Sequence, residues 1–152
     1  MAKPYDKSGR IPLLGDFEAR MQRLGSCNGG WLVAVSGGAD SFALLDLAHR
    51  SVHRNPRPLH VVTVQHHLRA EAEGELMAVR AWCEARDIPH HRQDLEPPPN
   101  PAAARRARYH ALQSVASKQN LPYVLLGHHA DDQVESILLA LVRGAGPKGL
   151  GG

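Results

Sequence analysis

Three short apolar runs constrain this 152-residue chain most: Trp31 to Val35, Leu59 to Val64 and Tyr123 to Gly127. Each is near-continuous rather than alternating, the pattern of a strand covered on both faces and hence of a parallel sheet. A more polar segment, roughly His90 to Asp94, reads as a fourth strand. Helical patterns separate them, over Ser41 to His53, Glu71 to Arg86, Ala102 to Lys118 and Asp132 to Arg143, with another at Gly15 to Leu24. Val79, Trp82 and Cys83 recur at i, i+3, i+4 and give the second helix a buried stripe. Asn100-Pro101 reads as a cap followed by proline in the first helical turn. This alternation implies right-handed crossovers and a doubly wound α/β sandwich with a parallel sheet. Ligands of such sheets sit beyond the carboxyl ends of the strands, at the switch point. The loops after Val35, Val64 and Gly127 therefore carry the functional expectation.

The length suits one domain over residues 1–152 and not comfortably two. A hydrophobic fraction of 43% and a charged fraction of 22% are ordinary for a soluble protein. No apolar run approaches the roughly 20 residues of a membrane span, and residues 1–15 lack the apolar core of a secretory signal. The expectation is a cytoplasmic protein with no membrane partner. Cys27 and Cys83 form no C-x-x-C pair, so both read as small buried or half-buried residues. A formal charge of +3, carried mainly by arginine, permits a phosphate-rich partner such as RNA. Aromatics at 5% argue against a base-stacking platform.

The first strand runs into Ser36-Gly37-Gly38-Ala39-Asp40-Ser41 and then a helix. Two glycines let the backbone approach an anion without Cβ clashes. Their N–H groups and the helix N-terminus form an anion cradle, with the Ser36 and Ser41 hydroxyls as further donors. G-x-x-x-x-G-K-[ST] and G-x-G-x-x-G are both missing, which argues against a P-loop and a dinucleotide site.

The fourth strand leads into Gly127-His128-His129-Ala130-Asp131-Asp132-Gln133-Val134-Glu135-Ser136. On the expected helix Asp132 and Glu135 share a face, with His128 one turn earlier. Two carboxylates there would grip an ammonium group or a metal ion. Helix-dipole stabilisation accounts for Asp131 but not for the histidines. A zinc site from His128, Asp132 and His66 or His67 stays open as a weaker reading, for want of a ligand spacing rule.

The loop resembles the S-G-G-x-D-S signature of the PP-loop ATP-pyrophosphatase superfamily, which cleaves ATP between its α- and β-phosphates. That resemblance implies an adenine-nucleotide α-hydrolase-like (Rossmann-like) fold. It also implies ATP binding by Ser36, Gly37, Gly38, Ala39, Asp40 and Ser41, with Asp40 a ligand of Mg2+. Three further segments narrow it. Val64-Gln65-His66-His67-Leu68-Arg69 is similar to V-D-H-x-L-R, Ala104 to Tyr109 to A-R-x-x-R-Y, and GHHADDQVESILLALVRGAGPKGL to the corresponding run of the tRNA(Ile)-lysidine synthetase family.

What this resemblance implies is an RNA-modifying ligase with ATP, L-lysine and tRNA(Ile) as partners. ATP adenylates the carbonyl oxygen of the wobble cytosine and releases pyrophosphate, and the lysine ε-amine then displaces AMP. Arg105 and Arg108 would stand near the phosphates or the cytidine. His128, Asp132 and Glu135 would position lysine and tune its amine. A solvated basic helix face remains the plainer reading of Arg105, Arg106 and Arg108, and a polar strand-end pair that of His66 and His67.

Gln65 departs from the acidic residue usual there, and family members extend beyond the R-G-A-G segment into tRNA-binding domains. The expectation is therefore a catalytic domain incomplete at its C-terminus. Two other readings stand beside the ligase: a PP-loop tRNA thiolase, disfavoured by the unpaired cysteines, and a non-catalytic nucleotide-binding module.

Overall fold

The structure is a computed structural model that describes residues 12–25, 29–65, 72–97, 99–130 and 133–140, with the backbone alone beyond Gly127. Its elements are α1 (Pro12–Arg23), β1 (Trp31–Ala34), α2 (Ala39–Arg54), β2 (Leu59–Gln65), α3 (Ala72–Glu84), β3 (His90–Asp94), α4 (Pro101–Lys118), β4 (Tyr123–Ala130) and β5 (Gln133–Ala140). The sheet order is β3-β2-β1-β4-β5. β1 pairs in parallel with both β2 and β4, and β2 in parallel with β3.

The apolar runs fold this way because consecutive side chains of β1 serve opposite cores. Trp31, Val33 and Val35 pack with Leu14, Phe17 and Met21 of α1, Leu44, Leu45 and Ala48 of α2, and Val79 and Cys83 of α3. Leu32 faces the other way, onto Val62, Leu112, Val115, Ala116, Val124 and Leu126. Helices α1 to α3 thus cover one face and α4 the other, as a doubly wound sheet requires. Helix α4 begins as its sequence indicates, with the Asn100 side chain accepting from the Ala103 N–H at 2.8 Å and Pro101 in the first turn.

One element differs from expectation. In place of a helix over 132–143, Gln133–Ala140 is a strand, antiparallel to β4, with Ile137 opposite Leu126 and Leu139 opposite Val124. Without β5, β4 would end the sheet with a row of unpaired N–H and C=O groups. An apolar run containing Val134 and Ile137 suits that edge, and periodicity over so few residues cannot separate strand from helix. Glu135 therefore lies on a strand rather than on the expected helix. Glu135 instead pairs in register with His128, while Asp132 lies outside the described residues.

Candidate nucleotide-phosphate site

β1 leads outward to β2 on one side and β4 on the other, so the crevice at the switch point opens beyond the carboxyl ends of β1 and β4. The loop at residues 36–38 stands there. Val35 still donates to the Val62 carbonyl oxygen at 2.9 Å, so the chain leaves the sheet at Ser36. Gly37 takes φ +93°, a left-handed conformation costly for any residue with a Cβ. Gly38 then caps α2 in an extended conformation and brings no side-chain acceptor. The first amides of α2 thus face the crevice end of the helix with its dipole behind them, suited to an anion.

Ser41 organises this turn. Its hydroxyl donates to the Gly38 carbonyl oxygen at 2.8 Å and accepts from the Ser36 N–H at 3.2 Å, with the Ser36 hydroxyl 3.3 Å away. At 4% exposure, Ser41 is an internal tie of the loop in this structure. Ser36, Gly38, Ala39 and Asp40 are exposed, and Asp40 belongs to the first turn of α2.

Two neighbours of the loop were not singled out from the sequence. Gly127, near the end of β4, lies against the start of α2: a Cβ there would stand 3.5 Å from the Asp40 carbonyl oxygen and from the Ser41 amide nitrogen. Glu75, in the first turn of α3, lies over Gly37: a Cβ on residue 37 would meet the Glu75 Cβ at 2.5 Å and its Oε2 at 2.7 Å. Gly127 at least follows an apolar run; Glu75 carries no local mark distinguishing it from Glu73.

The N-terminal half of α4 supplies the basic group. Arg105, Arg106 and Arg108 are exposed, the helix contains no Asp or Glu, and its buried residues lie only in its later turns. The Arg105 guanidinium sits 5.3 Å from the Tyr109 ring centroid, and no carboxylate pairs with these arginines among the described residues. Because α4 starts after β3, this half of the helix stands at the carboxyl edge of the sheet. The structure thus brings the loop, Gly127 and Glu75 together in contact and sets the arginines at the same edge.

His128 continues β4 from Gly127, and Glu135 follows in β5. His66 and His67 lie outside the described residues. Gln65 ends β2 opposite Asp94, and its carbonyl oxygen accepts from the Leu95 N–H at 2.8 Å. No group of three or more His, Cys, Asp or Glu side chains is placed to hold a metal ion among the described residues. Hard carboxylate oxygens do border the loop, at Asp40 and Glu75, and these suit Mg2+ rather than zinc.

A parallel α/β sheet with a capped glycine loop at its switch point defines a nucleotide-binding α/β protein, and the chain belongs to the PP-loop domain family, whose pattern matches residues 15–152. PP-loop domains are ATP-binding, and no described helix is long and apolar enough to cross a membrane. The sequence is similar to tRNA(Ile)-lysidine synthases. That of Novosphingobium aromaticivorans is 44% identical over 123 residues, covering 79% of this chain and 37% of the relative. That of Vibrio vulnificus is 40% identical over 143 residues, covering 91% of this chain and 32% of the relative. A third, from Bradyrhizobium diazoefficiens, is 45% identical over 126 residues, 78% of this chain and 35% of the relative. The chain thus spans about a third of the length of these relatives. Among solved structures, the U34-tRNA thiolase NcsA of Methanococcus maripaludis shares the fold, with TM-score 0.64 at 16% identity over 85% of this chain and 55% of that one.

Proposed function

We propose that this chain is the ATP-binding catalytic part of a tRNA(Ile)-lysidine ligase, acting in the cytoplasm on ATP, L-lysine and tRNA(Ile). The observation that carries this reading is identity of 40–44% to tRNA(Ile)-lysidine synthases over 79–91% of this chain. The geometry is compatible with it. The β- and γ-phosphates lie on the amides of 36–41, with the helix dipole of α2 favouring their charge. The cytosine carbonyl oxygen attacks the α-phosphorus, the bond to the bridging oxygen breaks, and pyrophosphate leaves. Arg105 and Arg108 stabilise the charge developing on the phosphoryl oxygens, a fixed guanidinium needing no reorganisation.

Mg2+ held through Asp40 would offset the charge of the leaving pyrophosphate. Lysine then attacks the activated ring carbon through its neutral ε-amine, and AMP departs. His128, Asp132 and Glu135 are the residues proposed to hold that amine and take its proton. Domains that grip the tRNA are proposed to lie outside residues 1–152, as the partial coverage of the relatives suggests.

The test is ATP–pyrophosphate exchange and radiolabelled lysine incorporation with an isoleucine tRNA bearing wobble cytidine. Lysine-dependent incorporation supports the assignment. ATP consumption with sulfur transferred instead would replace it by a thiolase, and ATP binding without pyrophosphate release would leave only a nucleotide-binding module. Cys83 offers the thiolase reading little, since it is buried in the core on the inner face of α3.

A further inference from the structure

The phosphate loop faces an acidic side chain that the proposed reaction has not used. Glu75 lies on Gly37 so closely that not even a methyl group would fit between them, with its Oε2 2.7 Å from where that group would stand. Its neighbour Glu73 is engaged by Arg92, at 3.0 and 3.4 Å. Glu75 has no such partner: among the described residues it forms no hydrogen bond or ion pair. A carboxylate with no counter-ion among the described residues is therefore held beside the turn whose amides would receive a polyphosphate. The placement is rigid at its root, because the atom nearest to where that group would stand, at 2.5 Å, is the Glu75 Cβ, which cannot swing away without moving α3.

From this we infer that Glu75 makes the site select metal-bound ATP over bare ATP. This rests on the nucleotide-site reading given above and adds a residue and a specificity to it. Bare ATP brings up to four negative charges to a loop already faced by Glu75, and like charges at contact repel. A divalent cation between the carboxylate and the phosphates removes that repulsion and adds an attraction. Glu75 thus acts as a positioning residue for the metal–nucleotide pair. It raises the coupling between the two ligands, which by linkage is the same factor whichever binds first.

The experiment is calorimetric titration of the full chain with ATP, in excess Mg2+ and in excess EDTA, for the wild type, Glu75→Gln and Glu73→Gln. The quantity read is the ratio of the two affinities. Glu75→Gln is expected to bind bare ATP more tightly and to lower the ratio by about fivefold, the effect of one charge interacting with another at contact in water. Glu73→Gln, whose carboxylate faces Arg92, is expected to keep the wild-type ratio. Glu75 is exposed, and matching far-UV circular dichroism would show that each variant is folded. An unchanged ratio in Glu75→Gln, or the same fall in Glu73→Gln, overturns the inference while leaving the nucleotide site standing. Failure of the wild type to bind ATP under either condition overturns both.

Discussion

The Ser41 hydroxyl donates to the Gly38 carbonyl oxygen at 2.8 Å while accepting the Ser36 N–H, and so closes the phosphate loop on itself. The tie has a direct consequence. Ser41→Ala leaves the Ser36 N–H and the Gly38 carbonyl oxygen without this partner, at a cost of about 0.5–1.5 kcal/mol, since both residues are exposed to water. Urea denaturation should show that loss, and ATP affinity should fall with it because the loop is no longer held in shape.

Gly37 offers a second probe. Gly37→Ala should disturb the loop twice, through the φ of +93° and through the Glu75 Cβ at 2.5 Å. ATP binding should be lost or strongly weakened, while a control Gly15→Ala, at an open position in α1, should bind as the wild type does. Equal ATP affinity in Gly37→Ala would show that nucleotide does not use this turn.

Asp40 and Glu135 should separate the two chemical steps. Asp40→Ala should abolish ATP–pyrophosphate exchange. Glu135→Ala should retain exchange and lose lysine incorporation. Parallel loss of both activities in Glu135→Ala would refute the division of roles.

Stability should depend on pH through three histidines of β2 and β3. The His60 Nδ1 lies 3.0 Å from the His91 Nε2, and the His90 Nε2 lies 3.0 Å from the Thr63 hydroxyl. Burial lowers the pKa of all three below 6.5, and His91 adds to the effect on His60 and His90. The unfolded chain therefore binds more protons just below pH 6.5, so stability is present above that value and is lost as pH falls through the folded-state values. Melting temperature should drop on acidification from pH 7 to below 6.5, and the slope should flatten in His60→Gln/His91→Gln. A slope unchanged in that variant would remove this pair from the account.

Cys83 should be inert. Burial pushes its thiol up to about 11, despite the opposing pull of the Arg86 charge. In a Cys27→Ser background the native protein should resist a thiol-specific reagent at pH 8 and react fully once denatured. Rapid labelling of the native state would contradict the packing of α3 against β1 and β2.

Much of this arrangement was legible in the chain itself. Three of the four parallel strands were marked by runs such as Leu59 to Val64, whose side chains must be covered on both sides, and the α4 start by Asn100-Pro101. The strand at Gln133–Ala140 was not, because Leu138, Leu139 and Ala140 suit a helix equally and only the open edge of β4 selects pairing. Within the site, Ser36 to Ser41 was visible through its glycines. That Ser41 turns inward was not, since serine is as common at a ligand as in a turn.

The sequence by itself determined what short-range chemistry dictates: the order of strands and helices as far as β4, the glycine turn at Gly37, and the basic character of residues 105–108. Only the tertiary structure decided that Glu75 rather than Glu73 stands over that turn, and that Gly127 meets the start of α2. The reason is physical. Backbone preference and periodicity act between near neighbours, whereas contacts across the sheet arise when two cores pack at once and seat each helix at one depth and rotation.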